Sequence, residues 1–130
     1  MANYCDSSAL VKLVVREAES AALTDWLSHE QEPPVSSDLA RLEVMRAVRR
    51  YAPEFTGRAQ HLLGSVTFVR VTQARLERAA ILDPPELRSL EALHLATAVD
   101  LGDDLHGFVT YDERLARAAQ DAGIPTFSPR

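Results

Sequence analysis

The sequence is short of the residues that staple, punctuate or span. It has one cysteine, Cys5, so no internal disulfide can form and nothing in it asks for an oxidising compartment. No apolar run approaches the length of a membrane span, and Met1-Ala2-Asn3-Tyr4-Cys5-Asp6 lacks a basic stretch ahead of an apolar one. The expectation is a cytoplasmic protein with no membrane association and no signal peptide. There is no internal repeat or low-complexity tract, no Gly-rich phosphate loop and no Gly-x-Ser-x-Gly elbow. Trp26 and the tyrosines form no stripe interleaved with basic residues. Positive charge is also in the minority: 14 Lys and Arg against 19 Asp and Glu give a net charge of −5, which argues against a protein that coats nucleic acid by bulk charge.

What remains is the composition of one ordinary soluble domain, 130 residues with 46% hydrophobic and 25% charged, enough to bury a single core. All the basic residues except Lys12 are arginine, and several fall together on predicted helices, Arg41, Arg46, Arg49 and Arg50 on one of them. Solvated helix faces account for most of these, and a local basic rim on an acidic protein stays open. Between the Pro and Gly marks, short apolar stretches alternate with helical patterns. Asn3-Tyr4-Cys5 leads into the helix-starting Asp6-Ser7-Ser8, and a second helix follows at 21–29. Strands are expected at 35–37, 67–71 and 107–111, with a short edge strand within 124–127. Helices are expected from Ser37 or Asp38 to about Tyr51, then over 55–63, 74–82, 89–101 and 113–122. Such alternation predicts an α/β domain over residues 1–130, a short parallel sheet of about five strands with helices on both faces. Ligands in such folds sit at the carboxyl ends of the strands.

Four carboxylates stand out, two of them on that criterion and two as charges within predicted helices. Asp6 and Asp112 follow predicted strands and precede helices, so each reads either as a helix cap or as one member of an acidic rim. Glu43 lies among Leu39, Leu42 and Met45 and has Arg46 as a possible helix neighbour. Glu91 sits in the first turn of a helix that is apolar nearly all round, where either the helix dipole or a partner or metal accounts for it. Taken together, Asp6, Glu43, Glu91 and Asp112 form a set of oxygen donors suited to Mg²⁺ or Mn²⁺ rather than zinc. An ion of that kind reconciles an acidic protein with phosphodiester chemistry by bridging two negative partners. His94, one turn after Glu91, is more simply a packed histidine than a proton donor, and Cys5 is a core residue with no histidine pattern to activate it. Ser7, Ser8 and Thr110 lie beside the acids.

The stretches around these acids carry a resemblance. Tyr4-Cys5-Asp6-Ser7-Ser8-Ala9-Leu10-Val11-Lys12-Leu13 is similar to the opening motif of PIN-domain ribonucleases, specifically the VapC-type toxins of toxin–antitoxin pairs. Segments 39–44, 87–98 and 108–119 resemble the family's second, third and fourth motifs, in order and over nearly the whole chain. The resemblance implies that Asp6, Glu43, Glu91 and Asp112 are metal-binding carboxylates and that Thr110 is the hydroxyl residue lining the same site. It further implies Mg²⁺- or Mn²⁺-dependent endonucleolytic cleavage of RNA, a homodimer, and a VapB-type antitoxin that blocks the site and alone carries the operator-DNA contacts. One position departs from the pattern: the third acid is usually Asp and here is Glu91. Its extra methylene displaces the carboxylate by about one carbon–carbon bond, and Mg²⁺ tolerates distorted geometry poorly. An alternative is therefore a catalytically weakened or silent PIN-fold binding module. A phosphoryl-accepting aspartate protein is set aside, because the sole lysine is on the first helix and Ser8 stands where a second Asp is needed.

Overall fold

The computed structural model describes residues 1–130. Five strands, β1 (Ala2–Cys5), β2 (Val35–Ser37), β3 (Thr67–Val69), β4 (Leu105–Val109) and β5 (Thr126–Phe127), form one sheet in the order β3-β2-β1-β4-β5. Every pairing is parallel. The helices are α1 (Ser7–Lys12), α2 (Ser20–Ser28), α3 (Leu39–Tyr51), α4 (Thr56–Leu63), α5 (Gln73–Ala80), α6 (Ser89–Asp100) and α7 (Glu113–Asp121). The α/β expectation with helices on both faces is met.

Period-2 alternation along β1 and β4 divides the core in two. Tyr4 and Phe108, with stacked rings 5.2 Å apart, point into a cluster covered by α5, α6 and α7. Cys5 and Val109 point the other way, into a cluster built with Ala9, Leu10, Leu23, Val44, Val48 and Leu63 from α1 to α4. In α3 the buried residues Ala40, Val44 and Val48 recur every fourth position, with Leu39 and Met45 packed against the core on either side of that line. Helix α6 is buried continuously from Ala92 to Ala98, as its all-round apolar sequence requires.

Two strands differ from their sequence expectation. β3 stops at Val69, whose carbonyl takes Asp38 N–H as the last bond of the ladder with β2; Thr72 then caps α5 through Arg75 N–H, so residues 70 and 71 turn away. β4 lies two residues earlier than expected. Thr110 N–H still donates to Phe127 O, but Tyr111 N–H goes to Ser8 Oγ and Asp112 N–H to Thr110 Oγ1. Hydroxyls thus take over from the ladder and bend the chain towards α7. The sheet edge is packed tightly at Gly107: a Cβ built there meets the Phe127 ring at 2.1 Å.

The order reverses between β1 and β4, since the chain proceeds outward through β2 and β3 before crossing back to β4 and β5. The carboxyl ends of β1 and β4 therefore splay neighbouring helix N-termini apart and leave a crevice. The acid-bearing connections converge there.

Candidate active site

Asp6 begins where β1 ends. Its N–H donates to Val109 O at 3.2 Å, continuing the ladder by one step, and its side chain then caps α1 by accepting from Ala9 N–H at 3.0 Å. Ser8 Oγ donates to the same carboxylate oxygen at 2.7 Å, and Thr110 Oγ1 donates to the other at 2.6 Å. Asp6 is only 3% exposed. Burial raises its pKa above the ordinary carboxylate range, against the pull of the Ser8 and Thr110 hydrogen bonds. Asp112 caps α7, its Oδ1 accepting from Leu115 N–H at 3.1 Å. For both aspartates the capping and rim readings hold at once: one side chain starts a helix and faces the crevice.

Glu43 departs from its simplest reading. Its partner is His94, 51 residues away, whose Nε2 lies 2.7 Å from Glu43 Oε1. The other ring nitrogen, Nδ1, is 2.6 Å from Tyr4 Oη. The imidazole is therefore gripped at both ring nitrogens, by the Tyr4 hydroxyl from β1 on one side and by the Glu43 carboxylate from α3 on the other. His94 is thus a packed core histidine, as expected, but its packing orients a carboxylate. Helical spacing along α3 could not reveal this partner, because it comes from α6 across the core.

Glu91 occupies the first turn of α6. Arg88 approaches one of its oxygens only to 3.9 Å, while the other, Oε2, is buried and has no hydrogen-bond partner. The dipole reading is right about position and incomplete about consequence. A buried oxygen of a charged group is costly to leave unmatched, and Glu91 is one of the residues that line the crevice.

All four acids line a single cavity of about 320 Å³, together with Ser7, Ser8 and His94. Thr110 lies behind its wall rather than in it, bridging Asp6 and the Asp112 backbone. Cys5 is buried, and its thiol is pushed up by burial, so it stays an inert core residue. A larger cavity of about 590 Å³ runs beside α5 and α6, but its lining is mostly apolar with Asp83 as its one carboxylate.

The chemistry of this donor set fits a hard divalent cation: hard oxygen ligands, one of them orphaned and buried, another held against desolvation. As the side chains stand, no group of three or more His, Cys, Asp or Glu is drawn together closely enough to hold an ion. Asp6 and Glu43 are fixed by donors, whereas Glu91 Oε2 is uncommitted.

A parallel sheet with carboxylates gathered at its order reversal is the architecture of the PIN domain, whose family profile matches residues 4–121, and the chain belongs to that family. It is 45% identical over 126 residues to ribonuclease VapC46 of Mycobacterium tuberculosis strain ATCC 25618 / H37Rv, covering 97% of this chain and 96% of that protein. Two solved structures share the fold. One is Mycobacterium tuberculosis VapC20, described as a toxin that cleaves the sarcin–ricin loop, with a TM-score of 0.77 at 16% identity, covering 98% of this chain and 100% of that one. The other comes from a toxin–antitoxin complex of Klebsiella pneumoniae, with a TM-score of 0.72 at 23% identity, covering 100% of this chain and 98% of that one. No helix is long and apolar enough to cross a membrane.

Proposed function

We propose that this protein is the endoribonuclease toxin of a toxin–antitoxin pair, cutting cytoplasmic RNA with Mg²⁺ or Mn²⁺ held by Asp6, Glu43, Glu91 and Asp112. The observation that carries this reading is the convergence of four carboxylates from four distant segments on one cavity at the sheet's order reversal. Membership of the PIN family and near-full-length similarity to a VapC ribonuclease support it. A divalent cation there would supply positive charge for the phosphoryl oxygens and lower the pKa of water. The chain's own residues supply the geometry. Ser8, Thr110 and Ala9 N–H fix Asp6, and His94 fixes Glu43. Asp112 is held through one oxygen, which leaves the other for a ligand. Thr110 ties Asp6 to the start of α7, so that the two aspartates hold a fixed spacing.

The partners follow the same reading: a VapB-type antitoxin, a second copy of this chain, and operator DNA reached only through the antitoxin. Structural similarity to a chain of a toxin–antitoxin complex supports the first of these. The test is incubation of antitoxin-free protein with a pool of tRNA, rRNA and mRNA in Mn²⁺, Mg²⁺ or EDTA, beside Asp6→Asn. Discrete products are expected with metal, with a loss on the order of a hundredfold or more in EDTA and in Asp6→Asn. Glu91→Asp is expected to shift the preference towards Mg²⁺, because it returns the carboxylate to the position usual in the family and Mg²⁺ tolerates distorted geometry poorly. Cleavage surviving Asp6→Asn unchanged would remove the site assignment.

A further inference from the structure

The acidic pocket cannot by itself attract a polyanion, and the protein as a whole carries −5. Beyond the phosphate that enters the pocket, affinity for a phosphate chain has to come from positive charge placed beside it. The cavity opens past Ser7, Ser8 and Glu43 into a trough of about 480 Å³ that these residues share with Lys12, Tyr51 and Tyr111. Glu17 also borders the trough, where it is paired with Lys12 at 3.2 Å. The trough in turn meets, at Ala47 and Tyr51, a depression of about 440 Å³ lined by Arg46, Arg49 and Arg50.

A single helix organises this path. Glu43, Ala47 and Tyr51 recur every fourth residue along α3, so the acid, a small floor residue and the tyrosine share one face over about 12 Å. Arg46, Arg49 and Arg50 are exposed, and none makes an ion pair within the chain, whereas Arg41, Arg75, Arg78, Arg88 and Arg130 all do. Tyr51 is 74% exposed, while every other Phe, Tyr and Trp is buried or half-buried. The Arg50 guanidinium sits 5.1 Å from its ring centroid, a cation–π contact that presents the ring's other face. The helix dipole favours cations in the last turn of α3, but it gives no reason to hold a large ring in water.

We propose that the C-terminal end of α3 is a subsite for single-stranded RNA, in which Tyr51 stacks on an unpaired base while Arg46, Arg49 and Arg50 hold the neighbouring phosphates. The strand then runs along the trough into the acidic pocket. A π-face beside uncompensated arginines is what an unstacked base and its backbone require, and a duplex would withhold its base faces from the ring. This inference rests on the ribonuclease reading for what happens in the pocket, but not for binding.

The experiment measures binding apart from cleavage. A short fluorescein-labelled single-stranded RNA of mixed sequence is titrated with Asp6→Asn protein by anisotropy across a range of salt concentrations. Arg46→Ala/Arg49→Ala/Arg50→Ala is expected to weaken binding about tenfold or more. It should also flatten the dependence of log K on log salt by about 2, at about 0.7 for each phosphate no longer neutralised. Tyr51→Ala is expected to weaken binding at least about fivefold with the salt slope unchanged, and Tyr51→Phe to restore it. A charge-matched control, Arg58→Ala/Arg70→Ala/Arg117→Ala, removes three other exposed, unpaired arginines and should stay near the parent. The proposal is overturned by equal losses in the triple variant and the control, by parental affinity in Tyr51→Ala, or by no RNA binding at all. It is likewise overturned by variants that bind RNA normally but lose the protein antitoxin. RNA that binds through these residues but is never cut by the parent protein supports this subsite and removes the ribonuclease reading instead.

Discussion

At Asp6 one side chain caps a helix, accepts two hydroxyl hydrogen bonds and is nearly out of water, yet its donors only partly offset the burial that raises its pKa. The sign of the resulting pH dependence follows from linkage. A carboxyl whose folded pKa exceeds its unfolded value binds more protons when folded, so its contribution to stability falls as pH rises from the unfolded pKa through the folded one. Without divalent cations, Asp6 therefore destabilises the fold at neutral pH. Asp6→Asn keeps an oxygen to accept from Ala9 N–H and gives Thr110 Oγ1 an amide donor in place of an acceptor. Urea unfolding in EDTA should show Asp6→Asn more stable than the parent at neutral pH, with the gap narrowing as pH falls into the carboxylate range. A gap that widened on acidification would mean that the carboxylate is stabilised by its donors, not strained by burial.

Between elements, the connection that matters most is the one from α6 to α3 through His94. Removing its imidazole orphans the buried Tyr4 hydroxyl, opens space beside the Tyr4 ring and frees Glu43. His94→Ala is expected to cost about 2 kcal/mol or more. A double-mutant cycle with Glu43→Ala, read by urea unfolding, should return a coupling of about 1 kcal/mol or more. Additivity within about 0.5 kcal/mol would show that the 2.7 Å contact does not bear on stability. This chain of contacts also marks the boundary of what the sequence disclosed. Strand and helix order, the aspartates after β1 and β4 and the buried character of α6 were all legible, because each depends on residues adjacent or one turn apart. Partner identity was not: the cation at helical spacing from Glu43 is Arg46, one turn on, whereas folding delivers a histidine 51 positions on. Nor could composition expose the role of Tyr51, since one ring among local arginines makes no periodic stripe. Only the trough shared with the pocket gives it meaning. The strand ends after 69 and 109 were misplaced for a third reason, the capture of backbone N–H groups by the Ser8, Thr110 and Thr72 side chains.

For the whole molecule, the reversal of strand order between β1 and β4 sets the cost of the site. Folding carries Asp6, Glu43, Glu91 and Asp112 from across the chain to one cavity, where their charges repel and Glu91 Oε2 is left without a partner. Nothing inside the protein neutralises that group, since Arg88 stands 3.9 Å from one oxygen and is itself mostly exposed. A ligand that binds only when the four acids are assembled must therefore stabilise the fold as it fills the site. At a concentration of 100 times its dissociation constant, a divalent cation adds about 2.7 kcal/mol. For a domain of this size that corresponds to a rise in Tm on the order of 10 °C. Thermal unfolding followed by circular dichroism in EDTA, Mg²⁺ and Mn²⁺ should show this rise in the parent protein. In Asp6→Asn the metal response should be largely lost even though the metal-free protein melts higher. Those two effects have opposite signs because one carboxylate both strains the empty site and helps to bind the cation. An equal metal-induced rise in parent and Asp6→Asn would place the cation elsewhere on the molecule and detach the acidic pocket from metal chemistry.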